Sequence, residues 1–276
     1  MRKGDRHMRK KSAEQVTAPE LAARKGKQPI CCVTAYDYPM AQIADSVGID
    51  LILVGDSLGN VVMGHTTTIP VTLDDMVRHT AMVSRAVKRA LVVADLPFLT
   101  YQISSEQAMA SCGRLIQEGG AQAVKMEGGV TIRDTIARVV QTGIPVLGHV
   151  GMTPQSVNAF GGHRLQGRGS GAQQVLADAV AVQEAGAFAV VLELIPAPLA
   201  AEITRTLSIP TIGIGAGPHC DGQVQVLHDL LGLTEGAPFR HVKRYAELRA
   251  AAAAALNAYR QDVADRNFPT MENAFE

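Results

Sequence analysis

The sequence predicts an α/β protein, a closed (β/α)8 (TIM) barrel in a single domain with an N-terminal extension. Three observations carry the prediction. Short β-branched runs alternate with longer amphipathic stretches along the 276-residue chain. The runs are apolar throughout, as in strands covered on both faces. About 250 residues suffice for eight strand–helix units. The rival is an open doubly wound sheet.

The expected strands are residues 30–34, 51–54, 91–94, 123–126, 145–147, 188–192 and 211–214, with a weak eighth near 239–242. Between them lie helices with recognisable starts. Thr72-x-x-Asp75, Ser104-x-x-Gln107 and Thr131-x-x-Asp134 have the form of capping boxes. After Thr72, the residues Leu73, Met76, Val77, Thr80 and Val87 recur on one face. Gly119-Gly120, Gly143 and Gly186 stand where C-terminal caps belong. A closing helix is expected around residues 250–254, and no linker divides the chain. The expected organisation is a basic tail over 1–16, the barrel over 17–267 and a loose C-terminus over 268–276.

Composition narrows the function. The chain is 47% hydrophobic and 19% charged with zero formal net charge, so it is a globular protein without the basic face of a nucleic-acid binder. Residues 1–28 hold nine Lys/Arg and three acids, which leaves the remainder at −6. This basic start contains acids and only Ser12, unlike a transit peptide, and reads as a solvated tail. Cys31, Cys32, Cys112 and Cys220 form no disulfide framework and suit a reducing compartment. No apolar stretch approaches the roughly 20 residues that span a bilayer. A soluble, cytoplasmic protein with no nucleic-acid or membrane partner is expected.

The strand ends point to chemistry. Leu51–Val54 is followed by Gly55, Asp56 and Ser57, and the next run ends in Asp95. The later runs end in Lys125-Met-Glu127, His149 and Glu193. Spacings of 39, 32, 22 and 44 residues correspond to one or two β/α units each. In such a barrel the active site lies at the C-terminal ends of the strands, so these side chains should converge. Asp56, Asp95 and Glu127 are hard oxygen ligands with no Cys or paired His nearby, an inventory that suits Mg²⁺ or Mn²⁺. Lys125, two residues before Glu127, shares its barrel face and can neutralise the same charge. Glu193 is flanked by Leu192 and Leu194, and a carboxylate in apolar surroundings can serve as a general base. His149 either donates a hydrogen bond to substrate or satisfies a loop carbonyl. Residues 213–217 read as a tight turn, and residues 161–169 as a lid or an interface loop.

The stretches Thr34-Ala-Tyr-Asp37, Val54-Gly-Asp-Ser-Leu-Gly59, Ala94-Asp-Leu-Pro-Phe98, Val124-Lys-Met-Glu-Gly-Gly129 and Gly148-His-Val-Gly-Met-Thr-Pro-Gln-Ser-Val157 resemble the ketopantoate hydroxymethyltransferase family. Gln166-Gly-Arg-Gly169, Gly213-Ile-Gly-Ala-Gly217 and Asp221-Gly-Gln-Val224 extend the likeness, which runs from about residue 30 to 245. The resemblance implies transfer of a hydroxymethyl group from 5,10-methylenetetrahydrofolate to 3-methyl-2-oxobutanoate through a Mg²⁺-stabilised enolate. It implies one Mg²⁺ per subunit on Asp56, Asp95 and Glu127, and Glu193 as the proton acceptor. The substrate contacts would be Asp56, Ser57, Asp95, Lys125 and His149. Family members form homo-oligomers, typically decamers. The chain departs from the family at Thr66, where an acid is usual, at Gly-Gly-His163-Arg164-Leu165, and in its basic N-terminus. Rival readings are a Mg²⁺-dependent 2-oxo acid C–C lyase or phosphonopyruvate-type mutase, and a non-catalytic 2-oxo acid sensor. Such lyases commonly use a loop cysteine that Gly161-Gly-His-Arg lacks, and a sensor needs no base at 193.

Overall fold

The computed structural model describes residues 15–275. Eight parallel strands close a barrel in chain order: β1 Ile30–Thr34, β2 Leu51–Val54, β3 Leu91–Asp95, β4 Ala123–Glu127, β5 Val146–Gly151, β6 Ala189–Glu193, β7 Thr211–Ile214 and β8 Gly222–Gln225. β1 pairs with both β2 and β8, which leaves no open edge.

Alternation along the strands divides the barrel into layers. Ile30, Cys32, Leu51, Leu53, Leu91, Val93, Ala123, Leu147, Ala189, Val191, Ile212 and Val224 fill one apolar cluster. Two residues further along four of these strands, the same face carries Asp95, Lys125, His149 and Glu193. The barrel is therefore apolar low down and polar at its C-terminal mouth.

The eighth strand differs from the expectation at 239–242, which instead contains a turn with Val242 N–H donating to Phe239 O. β8 was obscured because Gly222 and the polar Gln223 and Gln225 break its apolar character. The glycine has a packing reason, since a Cβ there would lie 2.5 Å from the Ile30 carbonyl oxygen where β8 closes on β1. β5 also runs on past residue 147, so His149 lies within the strand. Gly148 there faces the helix Gly171–Glu184, and a Cβ would come 2.2 Å from Val182 Cγ1. Gly148→Ala is expected to cost about 1–3 kcal/mol by overpacking. Thermal melts of G148A, V182A and the double variant check this: the double variant should lose less than the two single losses added.

Helix starts follow the sequence in two of three cases. Thr72 and Asp75 form a reciprocal capping box on the helix Leu73–Ala86. Ser104 accepts from Gln107 N–H, but the Gln107 side chain turns to Leu99 O instead of completing the box. Thr131 does not cap, because it falls inside a 3-10 turn, Val130–Ile132, ahead of the helix Arg133–Gln141. That turn is capped from a distance by Asp178, which accepts from Val130 N–H.

The basic tail expected at 1–16 lies outside the described residues up to position 14. Val16 belongs to the fold: its N–H donates to Arg89 O, and it joins Ala18 and Leu21 in the barrel cluster. The helix Ala18–Ala22 thus seals the barrel interior from below. Asp221 adds a tie, accepting from Lys25 Nζ at 2.8 Å and from the N–H groups of Gly26 and Thr211.

The described chain forms two compact units, one ending at Gln225 and one beginning at Val226. All eight strands lie in the first, so the span 17–267 expected for the barrel takes in both. The second contains the helices Leu227–Leu230 and Leu248–Ala264 and a 3-10 turn, Met271–Asn273. Leu248–Ala264 includes the alanine run at 250–254 and buries none of its residues. No described helix is long and apolar enough to cross a membrane.

Candidate active site

Strand register places the predicted polar residues side by side. Asp95 is level with Lys125, Glu127 with His149, and Gly151 with Glu193. Asp56 stands two residues beyond β2, where its N–H donates to Asp95 Oδ2 at 3.3 Å. Asp56, Asp95, Lys125, Glu127 and His149 are all at most 6% exposed. The Glu193 side chain, at 15%, is more open than those of Lys125, Asp95, Glu127 and His149.

Lys125 is the hub. Its Nζ forms an ion pair with Asp95 Oδ1 at 2.8 Å, donates to Glu127 Oε1 at 3.1 Å and lies 3.2 Å from His149 Nδ1. His149 Nε2 faces Glu193 Oε2 at 3.2 Å. The pair is at ion-pair distance, without the alignment of a hydrogen bond. Nδ1 accepts from Lys125 or, when protonated, points to Glu127 Oε1 at 3.4 Å. The imidazole therefore bridges Glu193 to the acidic cluster.

The cluster carries excess negative charge. Three carboxylates meet one ammonium, and one oxygen from each of Asp56, Asp95 and Glu127 lies within 4.8 Å of the others. Burial, then the charges of Asp95 and Glu127, push the Asp56 carboxyl well above its ordinary range. Burial raises Asp95 to about 6 against the pull of Lys125. Glu127 goes the other way: burial opposes its charge, but Lys125 and His149 outweigh it and hold the carboxyl down at about 2. Burial and Lys125 both disfavour a charged His149, yet its bonds to Glu127 and Glu193 raise it to about 9. For Lys125, burial is outweighed by Asp95, Glu127 and Asp56, and the ammonium stays charged.

Buried hard oxygens with two charges uncompensated fit a divalent cation such as Mg²⁺. A pH dependence follows. Asp56 and Asp95 hold protons more firmly than ordinary aspartates, so a cation must displace them. Binding of Mg²⁺ is expected to release protons and to weaken as pH falls below about 6, where Asp95 is protonated. Titration calorimetry in two buffers of different ionisation heat measures the proton count. Equal apparent heats and a pH-independent affinity would contradict it.

Neighbours that sequence reasoning missed complete the site. Tyr36 OH lies 2.8 Å from Ser57 Oγ and fixes that hydroxyl. Tyr101 OH receives Glu127 N–H at 3.0 Å. Gln155 bonds to both Asp56 and Glu127. Tyr36 and Gln155 fell inside the motif stretches, but no local pattern marked them, and their partners lie 21 to 99 residues away. Leu194, next to Glu193, has φ +45°. Its N–H donates to Ile214 O, and its carbonyl accepts from Gln166 N–H in the loop after β5. These two bonds hold a strained residue beside Glu193 and tie that loop to it. Of residues 213–217, expected as a tight turn, Gly213 and Ile214 instead end β7 and Gly215 and Ala216 form a bend, after which a Cβ on Gly217 would meet Ala197 at 2.5 Å.

A sequence model of the family described as ketopantoate hydroxymethyltransferase matches residues 15–271. The chain belongs to the ketopantoate hydroxymethyltransferase family. A relative from Pelobacter propionicus named 3-methyl-2-oxobutanoate hydroxymethyltransferase is 54% identical over 269 residues, covering 97% of this chain and 98% of its own. One of the same name from Chloroflexus aurantiacus is 63% identical over 243 residues, 88% of this chain and 86% of its own. Among solved structures, phosphonopyruvate hydrolase in complex with oxalate and Mg²⁺ superposes with a TM-score of 0.61 at 13% identity. It covers 94% of this chain and 93% of its own, and the likeness shows a shared fold. Among the described residues, Asp56, Asp95 and Glu127 form the only group of three or more His, Cys, Asp or Glu with metal-holding spacing.

Proposed function

We propose that this chain transfers a hydroxymethyl group from 5,10-methylenetetrahydrofolate to 3-methyl-2-oxobutanoate, giving 2-dehydropantoate for pantothenate and coenzyme A synthesis. The observation that carries this reading is the buried Asp56–Asp95–Glu127 cluster joined through Lys125 and His149 to Glu193, in a chain of this family. A divalent cation held by the three carboxylates supplies Lewis-acid charge that favours proton loss beside an oxo group, an effect of several kcal/mol.

The residues do the rest. Glu193, at the open side of the cluster, accepts the proton from C3 of the oxo acid. His149, at ion-pair distance from Glu193, keeps positive charge beside the carboxylate. Lys125 offsets negative charge gathering on the oxo acid as C3 loses its proton, while Ser57, fixed by Tyr36, donates to the substrate carboxylate. One carbon–nitrogen bond of the folate methylene opens as its nitrogen takes up a proton, and the carbanionic C3 bonds to the methylene carbon. Water replaces the second nitrogen and supplies the hydroxyl. Tetrahydrofolate leaves with the C3 proton from Glu193 and one proton of that water on its two nitrogens. The folate contacts, a homo-oligomer of the decamer type and a cytoplasmic setting belong to the same proposal. The four free cysteines support a reducing compartment.

An NMR assay of 3-methyl-2-oxobutanoate with Mg²⁺ and methylenetetrahydrofolate tests the reading. Ketopantoate should accumulate over many turnovers. Consumption of the oxo acid without it, or cleavage of a 2-oxo acid carbon–carbon bond in its place, would favour the lyase or mutase alternative.

A further inference from the structure

Gln155 occupies an unusual place in this network. It sits in the short 3-10 turn Pro154–Ser156 after β5, is 5% exposed, and reaches two of the three carboxylates. Its Nε2 donates to Asp56 Oδ2 at 3.0 Å and to Leu96 O at 2.8 Å. Its Oε1 faces Tyr101 OH at 2.9 Å and accepts from Gln102 Nε2 at 3.0 Å. Its backbone N–H donates to Glu127 Oε2 at 3.0 Å.

The amide has one possible orientation. Reversed, it would turn its oxygen toward the Asp56 carboxylate and the Leu96 carbonyl, and its NH₂ toward the Gln102 amide. With every side-chain hydrogen-bonding position taken, the group is fixed from both sides. The side-chain amide thereby commits one oxygen of Asp56, whereas Glu127 Oε2 is held by the backbone N–H that any residue at 155 would offer. The remaining Glu127 oxygen faces Lys125 and His149.

We propose that Gln155 is a positioning residue whose side-chain amide restricts Asp56 to one metal-facing oxygen, and so selects a small six-coordinate cation over Ca²⁺. The inference rests on the metal reading of the acidic cluster. The chemistry is one of carboxylate mode. Ca²⁺ takes six to eight oxygens at longer range and commonly uses both oxygens of a carboxylate, whereas Mg²⁺ demands a compact octahedron. A carboxylate pinned at one oxygen cannot swivel to offer both. Outer hydrogen bonds of this kind fix ligand orientation, and their loss costs about 10–100-fold in metal affinity.

The test is direct titration of metal-free protein with Mg²⁺ and with Ca²⁺, backed by competition against the Mn²⁺ electron paramagnetic resonance signal. Gln155→Met keeps the length of the side chain and removes its donors and acceptor. It should weaken Mg²⁺ by about 10–100-fold and Ca²⁺ distinctly less, so that the Mg²⁺/Ca²⁺ preference narrows. Gln102→Leu, which takes the Nε2 partner from Gln155 Oε1 and leaves the amide and Tyr101 in place, should shift the ratio in the same direction by less. It decides the matter if Q155M fails to fold. An unchanged ratio overturns the proposal, whether both affinities fall together or neither moves. Wild-type protein that binds neither ion would overturn the metal reading itself.

Discussion

Glu193→Gln is expected to lower C3 proton exchange and ketopantoate formation together by about 10²–10⁴, the usual effect of removing a positioned general base. Glutamine keeps the reach of the side chain and can still face His149 Nε2 with its oxygen, so the geometry around His149 survives. It cannot accept a proton at neutral pH. Binding of Mg²⁺ and of the oxo acid should persist, because Asp56, Asp95, Glu127, Ser57 and Lys125 are unaltered. Rapid-quench product assays and deuterium exchange on the same preparation separate the possibilities. Normal exchange with lost product would move Glu193 to the folate step, and normal rates in both would remove Glu193 from the role of base.

Asp95→Asn should have the second largest effect, on the metal. The substitution removes one of three negative charges from a cluster in which Lys125 already supplies a positive one, so a divalent ion is left with uncompensated positive charge. It also exchanges an anionic ligand for a neutral amide oxygen. Affinity for Mg²⁺ is therefore expected to fall by more than the 10–100-fold typical of losing an outer-shell hydrogen bond, and exchange at C3 should fall with it. Titration calorimetry gives the first number and exchange the second. An Asp95→Asn protein that binds Mg²⁺ like the wild type would remove Asp95 from the ligand set.

The sequence made the mouth of the barrel legible for a simple reason. On a strand buried on both faces, a charged residue at the C-terminal end is costly unless it has a task, so Asp95, Glu127 and Glu193 stand out against Val, Leu and Ala. Alternation also put Lys125 and Glu127 on one face before any fold was known, and the register of β3, β4 and β5 then brought Asp95, Lys125, Glu127 and His149 together. What escaped was whatever depends on distant partners. β8 lacks an apolar run because Gly222 answers to the backbone of β1. Thr131 lost its capping role to Asp178, which lies on another helix. Gln155 and Tyr101 are ordinary loop residues in sequence, and their bonds to Asp56 and Glu127 exist only once the barrel has closed. Val16 looked like the end of a tail because its apolar partners are the strands above it.

The central claim is that this rim removes the C3 proton of 3-methyl-2-oxobutanoate with a divalent cation bound, before any one-carbon donor is needed. Proton NMR of the oxo acid in D₂O with wild-type protein, Mg²⁺ and no folate reads that step alone. The C3 methine signal should disappear at a protein-dependent rate, and chelating Mg²⁺ should stop the loss. A methine signal that persists under these conditions, while the same protein forms ketopantoate once methylenetetrahydrofolate is added, would contradict the assignment of enolisation to this set of residues as an independent step.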